Sequence, residues 1–60
     1  MFQVTVMNAG SKFWLGGTVW RFAADRATTH ETVDAALAAL AKAKPFMAAK
    51  VYRAAVIEPV

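Results

Sequence analysis

The sequence contains no cysteine and only one histidine, His30. Without cysteine the chain can form neither a disulfide nor a thiolate zinc site, and one histidine with scattered carboxylates makes a poor metal set. These absences matter because a chain of 60 residues buries only about 60% of the surface that its unfolded form exposes. Small domains usually need an additional stabilising feature, such as a disulfide, a metal site or oligomerisation. Self-association is the feature that remains, so we expect a homo-oligomer, most simply a dimer, with no cofactor.

Long apolar runs are also missing. The longest, Ala35 to Ala41, is well short of the roughly 20 residues that span a bilayer. The first residues lack the basic region and the cleavage motif of a secretory signal. We therefore expect no membrane span, no membrane partner and a cytoplasmic protein.

No set of side chains suited to catalysis can be assembled. General acid–base chemistry at His30 would need a nucleophile, a partner carboxylate or oxyanion donors around it. Asp25, Glu31 and Asp34 precede or begin a predicted helix, where capping and the helix dipole explain them. His30 itself is expected to be a packed histidine or one that lies beside the N-cap. The sequence therefore predicts a protein that is not an enzyme.

The formal charge of +3 comes from basic residues that are spread through every segment. Nucleic-acid-binding proteins usually cluster such residues on one face or stripe. A dispersed pattern is typical of a solvated surface that keeps a small protein soluble. The charge alone therefore does not indicate a nucleic-acid partner.

Thr32 to Lys44 is the segment with the clearest helical pattern. Apolar residues recur there with the spacing of one helical face at Val33, Ala36, Leu37, Leu40 and Ala41. Thr32 is a preferred N-cap, and Pro45 disfavours helical geometry at the residue before it. Thr28 with Glu31 offers an alternative capping box that would start the helix earlier. The pattern predicts one amphipathic helix.

Three segments have the composition of strands. Phe2 to Met7 alternates in the way of a half-buried strand, and Lys50 to Glu58 is rich in β-branched and aromatic residues. Phe13 to Phe22 is interrupted by Gly16-Gly17, which can form a tight hairpin or a bulge. We favour one bulged strand, because its arms would otherwise be short.

These segments predict a single α+β domain over residues 1–60. The expected order is strand, strand, helix, strand (ββαβ), with one helix packed on a face of a small antiparallel sheet. A turn at Asn8 to Lys12 joins the first two strands. Phe46 to Ala49 is a connector that can contain a helical turn.

The aromatic residues of the second strand region are the best candidates for function. In one continuous strand Trp14, Trp20 and Phe22 would share a face, with Phe13 opposite. A short helix cannot cover every ring, so they are either core rings with exposed edges or a binding surface. The predicted partner-binding residues are Phe13, Trp14, Trp20, Arg21, Phe22 and Arg53.

Two kinds of partner suit this aromatic set. Tryptophan and arginine are enriched at the energetic centres of protein interfaces. Single-stranded nucleic acid stacks on aromatic rings beside basic residues, here Lys12, Arg21 and Arg53. We favour a protein partner, because no RNA-binding signature is present and the charge is modest. A nucleic-acid-binding accessory protein is the alternative.

The chain resembles a group of short bacteriophage and prophage proteins of unknown function. The resemblance lies in the first strand FQVTV, the run KFWLGGTVWRF, the threonines before the alanine-rich helix and the closing AAVIEPV. It implies an accessory role for a phage or mobile element, in the host cytoplasm, through binding to a host or phage protein. It implies no catalytic residue. His30 stands where these proteins often have an aromatic residue.

Overall fold

The computed structural model describes residues 1–60 and contains one sheet, two α-helices and two 3₁₀ turns. The elements are β1 (Phe2–Asn8), β2 (Ser11–Gly16), β3 (Val19–Arg21), α1 (Val33–Ala43), α2 (Ala49–Ala54) and β4 (Val56–Pro59). The strands form an antiparallel sheet in the order β3-β2-β1-β4. The predicted α+β class is confirmed, whereas the ββαβ order is only roughly matched. Neither helix is long and apolar enough to cross a membrane.

Helix α1 lies where the sequence predicts it. The Thr32 hydroxyl accepts a hydrogen bond from the Ala35 amide at 3.0 Å, so Thr32 is the N-cap and the alternative start at Thr28 is wrong. The α-helix ends at Ala43, and the chain continues in a 3₁₀ turn, Lys44–Phe46, that contains Pro45. The Thr32 cap therefore defines the start of the helix. The expectation that Pro45 would disfavour helical geometry at Lys44 is wrong, because Lys44 is in the right-handed helical region and Pro45 fits the first turn of the 3₁₀ segment.

The glycine pair forms a hairpin, so the predicted bulged strand is wrong. Gly16 pairs with Val19, and the two residues between them make the turn. Gly17 has a φ of +64°, as the first position of a type II′ turn requires. The short arm β3 is tolerated because β2 also pairs with β1, so the hairpin belongs to a larger sheet.

This hairpin changes which side chains share a face. A two-residue loop pairs Leu15 with Trp20 and Trp14 with Arg21. Trp20 therefore lies on the face of Leu15, and Trp14 lies on the opposite face. The predicted grouping of both tryptophans on one face is wrong. Trp20 pairs with Leu15, and the side chains of Leu15 and Trp14 lie on opposite faces because they are consecutive residues of one strand.

The hydrophobic core lies between the helices and one face of the sheet, here called the helix face. Its buried residues are Val4, Leu15, Ala36, Leu40 and Ala43, and six half-buried side chains surround them: Phe2, Trp20, Met47, Tyr52, Ala55 and Ile57. Only seven of the 60 residues are buried. The opposite face, here called the open face, carries no α-helix, but the 3₁₀ turn Ala24–Arg26 packs on β2 there and accepts a hydrogen bond from the Gln3 side chain. A core this small leaves the fold marginally stable.

The predicted last strand is shorter than expected. Its first half forms α2, and only Val56–Pro59 pairs with β1. Tyr52 of α2 and Ala55, the extended residue that follows the helix, pack on the core, and Lys44 places its Nζ 4.8 Å from the centre of the Tyr52 ring. These tertiary contacts outweigh the β propensity of the segment.

The chain crosses from the open face to the helix face at the edge of the sheet where β1 begins and β2 ends. A Cβ on Gly16 would lie 2.6 Å from the Arg26 carbonyl oxygen, so only glycine allows the chain to pass here. The Thr28 amide then donates to the Leu15 carbonyl, and His30 exchanges two backbone hydrogen bonds with Phe2. His30 is half-buried, and its backbone pairs with that of Phe2 at this crossing.

The hairpin between β1 and β2 contains a residue in an unfavourable conformation. Its loop is Ala9 and Gly10, with φ angles of +52° and +80°. Two positive φ angles are typical of a type I′ turn, which asparagine followed by glycine fits best. We expect Ala9→Asn to raise the free energy of unfolding by about 0.5–1 kcal/mol, because asparagine tolerates the left-handed region better than alanine does.

Urea denaturation followed by far-UV circular dichroism measures this gain. Gly10→Ala is the matched control and is expected to destabilise the same loop by about 1 kcal/mol. Equal stability of Ala9→Asn and the wild type would contradict this description of the turn.

Candidate functional site

A shallow groove opens on the helix face beside α2. Its volume is about 90 Å³, and its lining residues are Val6, Asn8, Phe13, Trp20 and Val51. Three strands supply the floor, and Val51 of α2 supplies one wall. Helix α1 packs on β1 and β4. The half of the helix face formed by β2 and β3 is therefore less covered.

Phe22 stands beside this groove. The centre of its ring lies 4.9 Å from that of Phe13, and the two planes are tilted by 52°. Phe22 is 80% exposed, more than any other large apolar residue of the chain. We call the groove together with Phe22 the aromatic groove. It is an apolar depression with an exposed ring at its edge.

Trp20 belongs both to the floor of the groove and to the rim of the core. The residue is half-buried, and its ring packs against the core cluster. Its Nε1 is buried and has no hydrogen-bond partner. A buried donor without a partner costs about 1–3 kcal/mol. Trp20 is therefore held in place by apolar packing, at the expense of an unpaired indole N–H.

Trp14 and Arg21 lie on the open face, away from the groove. There the Lys12 Nζ lies 2.8 Å from the Glu58 Oε2 and 5.5 Å from the centre of the Trp14 ring. The hydrogen bond from Lys12 is the main reason that the pKa of Glu58 is lowered. Lys12 and Trp14 thus already have partners within the protomer.

The structure divides the six predicted partner-binding residues among three places. Phe13, Trp20 and Phe22 meet at the aromatic groove, Trp14 and Arg21 lie on the open face, and Arg53 is exposed on α2. Three residues of the groove were not predicted from the sequence: Val6, Asn8 and Val51. Pairing of Phe13 with Val6 through the β1–β2 hairpin would have identified Val6.

The lining of the aromatic groove is apolar except for one amide side chain. Asn8 is its one polar lining residue, so the groove contains no group that titrates near neutral pH. No group of three or more metal-ligating side chains comes together elsewhere in the fold. The groove can take up an apolar side chain and offer Asn8 as a hydrogen-bonding partner.

Comparison of the chain with protein-family models, curated proteins and solved structures gives no match. The interpretation of the aromatic groove therefore rests on its own residues.

Proposed function

We propose that this chain is a small, non-enzymatic protein-binding module whose partner places an apolar side chain in the aromatic groove. The observation that carries the proposal is the 80% exposure of Phe22 beside a depression lined by Phe13 and Trp20. Aromatic residues are enriched in the cores of protein interfaces. Covering Phe22 would remove a large apolar area from water, at roughly 25 cal/mol for each Å².

The resemblance to short phage proteins supports an accessory role for a phage or mobile element, with a host or phage protein as the partner. Cytoplasmic action in the host cell follows from the same resemblance. Self-association into a homodimer is supported by the small core, in which seven residues are buried.

Nucleic-acid binding is the alternative, and two features weigh against it. The rings of Phe13 and Phe22 are tilted by 52°, so they do not offer parallel planes to successive bases. Arg21 lies on the opposite face, and Lys12 pairs with Glu58. A steeply salt-dependent affinity for random single-stranded DNA would favour this alternative, whereas no binding at low salt would exclude it.

The protein-binding proposal predicts opposite results for two exposed phenylalanines. Phe22 is 80% exposed and contacts Phe13 of the groove lining, whereas Phe46 is 71% exposed and is not a lining residue. We expect Phe22→Ala to weaken partner binding at least about tenfold, the loss typical of an interface anchor. Phe46→Ala should bind as the wild type does. Affinity capture from bacterial lysate, quantified for the same bound protein, gives the comparison.

Both variants should keep the circular dichroism spectrum of the wild type, because both side chains are exposed. The urea midpoint should stay unchanged in Phe46→Ala and fall only slightly in Phe22→Ala, which loses its ring contact with Phe13. Equal retention of the bound protein by Phe22→Ala and the wild type would contradict a role for the groove. Equal loss in both variants would point to non-specific adhesion.

A further inference from the structure

The solvent-facing side of α1 is unusually poor in charge. Asp34 and Lys42 are the only charged residues within the helix, and Val33 and Leu37 are 44% and 49% exposed. Three alanines are also exposed on it: Ala35, Ala38 and Ala41. A helix that faces water normally carries polar residues there. This surface therefore has the composition of a contact face.

The two charges of α1 are placed symmetrically about Ala38. Asp34 lies four residues before Ala38 and Lys42 four residues after it, so the three side chains form one line along the helix. This line lies opposite the buried stripe of Ala36, Leu40 and Ala43. The one ion pair of the protomer joins Lys12 to Glu58, so Asp34 and Lys42 have no charged partner within it.

We propose that a second copy of the chain docks on this face, with the two α1 helices antiparallel about a two-fold axis at Ala38. Asp34 then lies opposite the partner's Lys42, and the symmetry axis creates the same pair a second time. The small side chain of Ala38 lets the helices approach to about 8 Å, the lower end of interaxial distances. This arrangement gives the proposed self-association a defined interface.

The charge pattern selects a second copy and its direction. A parallel pair would place Asp34 against Asp34 and Lys42 against Lys42, which is repulsive. Antiparallel helices also bring the positive end of each helix dipole near the negative end of the other. Ala35 and Ala41, each three residues from Ala38, flank the line of contact, and the exposed Leu37 lies at its edge. The interface lies on the side of α1 away from the sheet, so it does not use the aromatic groove.

The test uses charge reversal in two separate variants. Asp34→Lys places lysines opposite one another in the dimer, and Lys42→Asp places aspartates opposite one another. We expect each variant alone to dimerise at least about tenfold more weakly than the wild type. An equimolar mixture should recover the dimer, because each lysine then faces an aspartate. Sedimentation equilibrium over a concentration series gives the dissociation constants.

A dimer of unchanged stability in both variants would overturn the proposal, and so would a mixture that stays monomeric or a wild type that is monomeric at about 1 mM. Each reversal opposes the helix dipole, so circular dichroism must show intact folding. Ala38→Glu is a second disruptive variant, because it places two glutamates at the axis from an exposed position. Monomeric variants should still capture the protein partner, which separates this interface from the aromatic groove.

Discussion

Trp20→Ala is expected to lower the free energy of unfolding by about 3 kcal/mol, at the lower end of the range for tryptophan truncation in a core. Trp20 packs against a core cluster of only five buried residues. Removing its ring leaves a cavity next to Leu15, its neighbour across the hairpin. In a domain of marginal stability, a loss of this size unfolds a large fraction of the molecules. Trp20→Ala therefore cannot serve as a test of partner binding.

Trp20→Phe should cost much less, about 1 kcal/mol or below. Phenylalanine keeps an aromatic ring in the core and removes the buried Nε1–H that has no partner. The lost apolar area and the removed desolvation penalty act in opposite directions. Urea denaturation followed by far-UV circular dichroism compares the two variants. If phenylalanine destabilises as strongly as alanine, the indole N–H is not a liability in the folded protein.

Leu40→Ala is expected to destabilise the protein by about 3 kcal/mol, whereas Leu37→Ala should cost less than about 1 kcal/mol. Both leucines are in α1, so the change in helix propensity is the same. Leu40 is 7% exposed in the core, and Leu37 is 49% exposed. The difference in the free energy of unfolding between the two variants therefore measures how much the burial of one leucine side chain stabilises the protein.

This comparison should be made in the Ala38→Glu background, because Leu37 borders the proposed dimer interface. Thermal and urea denaturation of the monomer then report on the core alone. Similar losses at Leu37 and Leu40 would contradict the orientation of α1 on the sheet.

The features of this fold that depend on neighbouring residues could be predicted from the sequence. Helix α1 has its own cap in Thr32, an apolar periodicity and Pro45 beyond its end. Strand β1 alternates apolar and polar residues in its sequence, although its centre is buried on both faces, with Thr5 2% exposed between Val4 and Val6. Both signals lie within the element that they define, so no knowledge of the tertiary structure was needed.

The hairpin and α2 depend on contacts between distant residues. Gly16-Gly17 suits a bulge as well as a turn, and the choice involves Thr28, whose amide donates to Leu15 and whose hydroxyl accepts from Gly17. Helix α2 is six residues long, too short to be stable alone, so its conformation depends on packing. Such contacts leave little trace in the local sequence.

The candidate site could be predicted only in part, because it also depends on contacts between distant residues. The sequence identified the aromatic residues, but the division of Trp14 from Trp20 follows from the register of the hairpin. Val51 entered the groove only because α2 is helical. Composition therefore indicated the residue types of the site, and the tertiary structure selected its members.

Binding of the captured partner, followed by the fluorescence of Trp20, tests the aromatic groove most directly. The chain has two tryptophans, so Trp14→Phe leaves Trp20 as the only one. The proposal predicts a saturable blue shift of its emission, because the partner excludes water from the groove. Adding Phe22→Ala should raise the partner concentration at half-saturation at least about tenfold. A partner that binds without changing Trp20 emission, and with equal affinity for both variants, would contradict the proposal.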